Sequence, residues 1–129
     1  MFIEIHTNSP VPIYLQLAQQ LIELMARNEL KPGDSLPSVR TFAADLGMNM
    51  HTVNKAYHYL QEKEFIRIVP KSGVIVQPDG WKKATELEQQ ALSQQIRPLL
   101  AEGLVRKLTE EELTKMVGEL VQQIKKGEK

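Results

Sequence analysis

The sequence predicts a mainly α-helical protein with a small β-hairpin, in which an N-terminal winged helix-turn-helix is followed by a C-terminal two-helix region. Two short amphipathic helices separated by a glycine turn, and a β-branched hairpin directly after them, predict the first part. Two further amphipathic segments occupy the rest of the 129 residues. A chain of this length suits one ordinary domain, or a compact domain of about 75 residues with an appendage too small to fold alone.

The first helix is predicted over residues 11–27. Apolar side chains recur there at three- and four-residue intervals, as an amphipathic helix requires: Tyr14, Leu17, Ala18, Leu21 and Met25. Pro10 and Pro12 stand at its start, where a missing amide hydrogen costs little. Pro32 and Gly33 interrupt the pattern, so residues 30–37 are predicted to form a loop.

Two short helices follow the loop. Ser38 is a suitable N-cap for the first, which Gly47 is expected to end in the left-handed conformation. Asn49 is a suitable N-cap for the second, predicted over residues 50–61. The apolar residues of both have the same spacing: Val39, Phe42, Ala43 and Leu46, then Val53, Ala56, Tyr57 and Leu60. Small Ala43 permits a close, steep crossing, which is the geometry of a helix-turn-helix.

A β-hairpin is predicted from residues 65–69 and 74–76, which are rich in β-branched side chains and are separated by Pro70-Lys71-Ser72-Gly73. Appended to a helix-turn-helix, such a hairpin is a wing. Pro78-Asp79-Gly80 then interrupts the chain. We therefore predict a winged helix-turn-helix domain over residues 1–78 and a helical region over residues 79–129.

The helical region contains two apolar stripes. The first helix is predicted from residue 81 to about 106, with a kink or weak point at Pro98 and Gly103. The second begins at a capping box formed by Thr109 and Glu112. Two helices cannot build a core alone, so a second copy of the chain is the expected cover. The predicted contacts of this homodimer are Trp81, Leu87, Leu113, Val117, Leu120 and Ile124.

Composition excludes several classes of protein. The absence of cysteine excludes disulfides and thiolate metal sites, and it favours a reducing cytoplasm as the location. No segment has the roughly 20 apolar residues of a membrane span, and the first residues lack the features of a signal peptide. His51 and His58 share a helical face without a third ligand nearby, so no metal site is predicted. No catalytic constellation and no cofactor motif is present, so an enzyme is not expected.

The 16 basic and 16 acidic residues cancel, although proteins that bind nucleic acids usually carry a basic surface. The distribution of charge matters more than the sum. Residues 47–59 contain Lys55 and two histidines but no acid, and residues 65–77 contain Arg67 and Lys71 but no acid. Two locally basic surfaces are therefore expected within a neutral protein.

Several motifs in residues 11–76 are specific in their order and spacing. They are Tyr14-Leu15-Gln16, then Leu30-Lys31-Pro32-Gly33-Asp34-Ser35-Leu36-Pro37-Ser38-Val39-Arg40, and Thr52-Val53-Asn54-Lys55-Ala56-Tyr57. On these motifs the chain strongly resembles the GntR family of bacterial regulators, and its short tail resembles the YtrA-like branch. The resemblance implies a homodimeric transcription repressor that binds two-fold symmetric double-stranded DNA, and control of transporter genes.

The resemblance also implies that Arg40 and the first residues of the second short helix face DNA. The pattern agrees, because the apolar face of that helix leaves Met50, His51 and Lys55 pointing outwards. Lys55 and Tyr57 are expected to contact the backbone rather than bases. The predicted DNA-binding residues are Ser38, Arg40, Asn49, Met50, His51, Thr52, Asn54, Lys55, Tyr57, Lys71, Ser72 and Gly73.

Two positions depart from the family pattern. Met50 stands where many members have an arginine that reads guanine, so a preference for guanine is not carried over. In the wing, Lys71 occupies the usual first glycine of Arg-Arg-Gly-x-Gly, and we assign it to a phosphate contact. Two alternatives remain open at this stage. In the first, Arg40 forms a surface ion pair with Asp34 or Asp45 instead of binding DNA. In the second, the protein is an interaction module that does not bind DNA, which requires an apolar patch on the recognition helix.

Overall fold

The computed structural model describes residues 1–129 as two compact units, Met1–Trp81 and Lys82–Lys129. The first unit contains α1 (Ile13–Ala26), β1 (Ser35–Leu36), α2 (Val39–Leu46), α3 (Met50–Glu62), β2 (Ile66–Val69) and β3 (Gly73–Val76). The second contains α4 (Glu86–Val105) and α5 (Glu110–Lys126). The predicted mainly α-helical architecture with an N-terminal winged helix-turn-helix is confirmed. The units divide after Trp81, whereas the sequence placed the boundary after residue 78.

The core of the first unit is formed where α1, α3 and the sheet meet. Its completely or almost completely buried side chains are Leu17, Ala18, Leu21, Val53, Ala56, Tyr57, Leu60, Ile66 and Val76. Each large apolar side chain buried in this way contributes about 1.5–3 kcal/mol of transfer free energy. The helical periodicity predicted the inward-facing positions of α1 and α3, whereas Ile66 and Val76 were predicted only as strand residues.

The sheet has three antiparallel strands in the order β1-β3-β2. The predicted hairpin pairs Ile66 with Val76 and Ile68 with Val74. The third strand corrects the prediction of a loop over residues 30–37, because Leu36 is buried and pairs with Val74. The Val76 amide donates to the Asp34 carbonyl at 2.8 Å, which extends the pairing. A two-residue strand is too short to show an alternating pattern in the sequence.

The N-terminal segment is held against α1 by two glutamine side chains. Gln16, which is buried, accepts a hydrogen bond from the His6 amide at 2.9 Å and donates to the carbonyls of His6 and Val11. Gln20 makes the same kind of paired contact with the backbone of Glu4. The amide side chains thus satisfy backbone groups as a neighbouring strand would.

The predicted helix caps of the first unit are present. Ser38 and Asn49 cap α2 and α3 through their side chains, and Gly47 ends α2 at φ 62° in the left-handed region. In the second unit the Thr109 capping box is confirmed, but α4 starts later than predicted. Thr85 and Glu88 form a capping box there, so residues 81–85 precede the helix. Hydrogen bonds from the backbone and side chain of Thr85 lower the pKa of the Glu88 carboxyl.

The second unit is a pair of helices. Helix α4 continues through Pro98 and Gly103, so the predicted weak point is not an interruption. Gly103 is buried instead, and a Cβ atom there would lie 2.7 Å from Cδ2 of Leu113. The glycine therefore allows α5 to approach α4 closely. No helix in the structure is both long enough and apolar enough to span a membrane.

Candidate nucleic-acid interface

Helix α3 has one apolar and one polar face. Val53, Ala56, Tyr57 and Leu60 have no solvent exposure, and they fix the rotation of the helix in the core. The same rotation turns another set outwards. Met50, His51, Asn54 and Lys55 are exposed and Thr52 is half-buried. These five of the predicted DNA-contacting residues therefore lie together in the first two turns of this helix, as expected for a helix whose start enters a groove.

The N-terminus of α3 has an arrangement that suits a polyanion. The Asn49 side-chain oxygen accepts a hydrogen bond from the His51 amide at 2.7 Å, so this side chain also holds the helix start in place. The first turn contains no acidic residue, although such residues commonly offset the positive end of the helix dipole. Negative charge from a bound molecule is thus favoured at this helix end.

The start of α2 presents Arg40. Ser38 caps the helix by accepting a hydrogen bond from the Thr41 amide at 3.1 Å. Arg40, in the first turn, is exposed, and its guanidinium makes no hydrogen bond or ion pair. The alternative ion pair with Asp34 or Asp45 is absent, and the Asp34 carboxylate accepts instead from the Lys31 amide at 2.8 Å. Arg40 is therefore available to an external anion.

The prediction that Tyr57 contacts the DNA backbone is wrong. Its side chain is completely buried, its ring stacks on Phe42 with centroids 6.1 Å apart, and its hydroxyl donates to the Pro37 carbonyl at 2.7 Å. Burial raises the pKa of the Tyr57 hydroxyl well above its usual range. Because Pro37 directly precedes Ser38, the bond fixes the start of α2 against α3. Tyr57 thus positions the interface from within.

The wing tip is a tight turn with Lys71 at its exposed end. Lys71 has φ 68° and Gly73 has φ 114°, and the Ser72 amide donates to the Val69 carbonyl at 3.0 Å. Lys71 and Ser72 are exposed, as a phosphate contact requires. The wing is attached to α3 by Gln61, whose side-chain oxygen accepts from the Ile68 amide at 2.8 Å.

Arg67 is one of the two cations that the sequence predicts for the basic wing surface. In the structure its guanidinium lies 3.3 Å from the Asp79 carboxylate and 3.1 Å from the Gln77 side-chain oxygen. Asp79 lies two residues beyond the acid-free segment 65–77, and the fold brings its carboxylate back to Arg67. The wing consequently presents one unpaired cation, Lys71, rather than two.

Lys55 is exposed and is held by an aromatic ring. Its Nζ atom lies 4.3 Å from the centroid of the Tyr14 ring in α1, and no carboxylate pairs with it. The sequence does not predict this contact, because Tyr14 fits the apolar stripe of α1 and meets Lys55 only through tertiary packing. The Gln61 bond to the wing and the Gln16 bonds to the N-terminal segment are also produced by tertiary packing, and the sequence does not predict them.

The predicted dimerisation residues differ in their surroundings. Trp81 packs on the core of the first unit, and its indole nitrogen donates to the Phe65 carbonyl at 3.2 Å. Leu113 is buried against α4, whereas Leu87, Val117 and Leu120 are exposed. Ile124 is half-buried. No group of three or more histidine, aspartate or glutamate side chains is placed to hold a metal ion.

The model of the gntR family of bacterial regulatory proteins matches residues 13–76, which include α2, α3 and the wing. The HTH-type transcriptional repressor YtrA of Bacillus subtilis is 31% identical over 127 residues, which are 98% of each chain. The chain belongs to the GntR family. The resemblance inferred from the motifs, including the YtrA-like branch, is confirmed.

Solved structures agree with this assignment. The crystal structure of a transcriptional antiterminator from Listeria monocytogenes superposes with a TM-score of 0.91 and 27% identity, over 100% of this chain and 96% of that one. YtrA from Sulfolobus acidocaldarius, a GntR-family transcription factor, is 36% identical with a TM-score of 0.56, over 94% and 97% of the two chains. The family consists of transcription regulators rather than enzymes.

Proposed function

We propose that this GntR-family regulator is a repressor that binds a two-fold symmetric DNA operator as a homodimer. The observation that carries the proposal is the two-faced character of α3. Its apolar face is completely buried and fixes the orientation of the helix, while the opposite face is polar and the first turn contains no acidic residue. Arg40 and Lys71, both unpaired and exposed, flank this face in the sequence. Met50 is the one large apolar side chain exposed on α3, which is too little for a protein-docking patch.

Division of the chain into a DNA-binding domain and a dimerisation region is part of the proposal. Eleven large apolar side chains of α4 and α5 are exposed: Leu87, Leu92, Ile96, Leu99, Leu100, Leu104, Val105, Met116, Val117, Leu120 and Val121. A groove of about 560 Å³ runs between the helices and is lined by Leu100, Leu104, Glu110, Leu113, Thr114 and Val117. A self-complementary contact between two copies would remove this surface from water and present two recognition helices to two half-sites.

Relatives support the proposals of repression and of gene targets. The relative from Bacillus subtilis, which matches over 98% of both chains, is a transcriptional repressor. The resemblance to the YtrA-like branch suggests transporter genes as targets. A reporter driven by a promoter that contains the selected DNA sequence tests this. We expect its expression to fall when the protein is produced, whereas a rise would contradict repression. The position of the selected sequence relative to transporter genes tests the target class.

The DNA-binding experiment begins with selection from a random-sequence duplex pool by the full chain. The enriched duplex and a scrambled duplex are then titrated at several salt concentrations. Each chain carries Arg40, Lys55 and Lys71 as unpaired cations near the site. About six phosphate contacts per dimer would give a slope of log K against log salt of about −5. Indistinguishable curves for the two duplexes would contradict the proposal, and a protein-interaction module predicts that result.

A matched pair of arginine variants sharpens the experiment. Arg40→Ala should weaken binding, and by about 1–3 kcal/mol if the guanidinium contacts a base, because the side chain is unpaired and exposed. Arg67→Ala should leave the affinity and the salt slope unchanged, because Asp79 already pairs with that guanidinium. Equal losses for the two variants would contradict the assignment of Arg40.

A further inference from the structure

Two adjacent tyrosines with a lysine at each end form a row where α1 packs against α3. The Lys55 Nζ atom lies 4.3 Å from the centroid of the Tyr14 ring, and Tyr14 meets Tyr59 edge to face with centroids 6.3 Å apart. The Lys63 Nζ atom lies 5.0 Å from the centroid of the Tyr59 ring. Lys55, Tyr59 and Lys63 follow one another at four-residue intervals, so they lie along one side of α3.

The two lysines are at opposite ends of this row. Lys55 is in the second turn of α3, four residues after His51 and on the same side of the helix, whereas Lys63 is the C-cap residue. The Lys55 ammonium group makes no hydrogen bond or ion pair, so its N–H donors are available to an anion. A lysine side chain has many rotamers, and ordering it at the moment of binding weakens affinity. A ring that already holds the ammonium group reduces this loss.

We propose that Tyr14 is a positioning residue for DNA binding: its ring holds the Lys55 ammonium group beside the start of the recognition helix, where the ammonium contacts a phosphate. Tyr14 itself touches no DNA in this proposal, and the inference rests on the proposed function. An exposed cation–π contact of the usual strength corresponds to about two- to fivefold in affinity for each half-site. The effect on a dimer that occupies two half-sites is then about 4- to 25-fold.

The test is a double-mutant cycle with the full chain on the enriched duplex and on a generic duplex. Tyr14→Leu removes the ring and should weaken binding by the stated factor. Lys55→Ala should reduce the salt slope by about 0.9 for each chain, because one phosphate contact is lost. In the Lys55→Ala background, Tyr14→Leu should have no further effect. Tyr14→Phe keeps the ring and should bind as the unmodified chain does.

Lys63→Ala is the matched control, because it removes a contact of the same kind at the other end of α3. Its affinity and salt slope should be unchanged. The inference is overturned if Tyr14→Leu weakens binding equally in both backgrounds, as a general loss of folding would, or if Tyr14→Phe binds as poorly as Tyr14→Leu. If selection enriches no duplex, the proposed operator specificity is contradicted. The double-mutant cycle on the generic duplex then still decides the role of Tyr14. Binding to neither duplex overturns both.

Discussion

At the residue scale, Tyr57 shows how an interface depends on a side chain that does not reach the surface. The apolar spacing of α3 predicts that Tyr57 shares the inward face with Val53 and Leu60, and the structure buries all three side chains completely. Its hydroxyl is the polar atom of this face and reaches the Pro37 carbonyl. The start of α2, with Arg40 in its first turn, is thereby fixed relative to the recognition helix.

We expect Tyr57→Phe to lower the free energy of unfolding by about 1 kcal/mol, because the hydroxyl is lost and the Pro37 carbonyl loses its donor. Urea unfolding of the full chain measures the change. Tyr14→Phe is the control, since the Tyr14 hydroxyl makes no hydrogen bond, and its stability should be unchanged. An equal effect of the two substitutions would contradict the importance of the Pro37 bond.

Lys71 combines an unfavourable backbone conformation with a useful charge. Its φ of 68° lies in the left-handed region, which costs a side chain with a Cβ atom about 1 kcal/mol or more relative to glycine. Lys71→Gly should therefore leave the unfolding free energy unchanged or raise it by up to about 1 kcal/mol. At the same time it should weaken DNA binding and reduce the salt slope by about 0.9 for each chain.

Thermal unfolding and DNA titration of the same preparation measure these two effects. Lys71→Ala is the matched variant, because it removes the charge but keeps a Cβ atom in the unfavourable left-handed conformation. It should weaken binding as Lys71→Gly does but gain no stability. Unchanged DNA binding in both variants would show that the wing tip lies away from the phosphates.

At the element scale, local signals were recovered from the sequence and non-local ones were not. Ser38, Gly47 and Asn49 act on the helix end beside them, so the residue type alone predicted the caps. Strand β1 forms only because a separate strand offers an unpaired edge. Thr85 and Glu88 are also a local capping signal. The helical apolar spacing continues back to Trp81, however, so the sequence predicts an earlier start of α4.

The candidate site divides in the same way. The exposed residues of α3 followed from its apolar periodicity, and Arg40 followed from the family motif. The Asp79 partner of Arg67 and the Tyr14 partner of Lys55 were not predicted, because each pair is joined by tertiary packing. The distribution of charge along the sequence therefore overestimates the number of unpaired cations on the wing. It also does not reveal the Tyr14 ring that holds Lys55.

The two helical glycines of the second unit predict opposite responses to alanine. A Cβ atom at Gly118 has no neighbour within 4 Å, so Gly118→Ala should stabilise α5 by up to about 1 kcal/mol through helix propensity. At Gly103 the Cβ atom would lie 2.7 Å from the Leu113 side chain, which must move. Gly103→Ala should therefore lack this gain or destabilise the unit, as thermal unfolding followed by circular dichroism will show. A larger gain at Gly103 would contradict the close approach of the two helices.

At the scale of the whole molecule, the exposed apolar side chains of α4 and α5 predict self-association. Leu120→Glu places a charge within this surface and should give a monomer, whereas the unmodified chain should sediment as a dimer at micromolar concentration. Gln122→Glu adds the same charge on the exposed opposite side of α5 and should leave the dimer intact. A monomeric unmodified chain, or dimeric Leu120→Glu, would contradict the predicted interface.

Trp81 is the only tryptophan of the chain, and its indole belongs to the first unit through the bond to Phe65. Intrinsic fluorescence therefore observes the melting of that unit. Far-ultraviolet circular dichroism observes all the helices, including α4 and α5, which contain no tryptophan. Heating one sample with both detectors shows whether the units melt together, because coincident curves indicate one cooperative transition and separated curves indicate two. The protein thus carries its own optical probe, and no dye or label has to be attached.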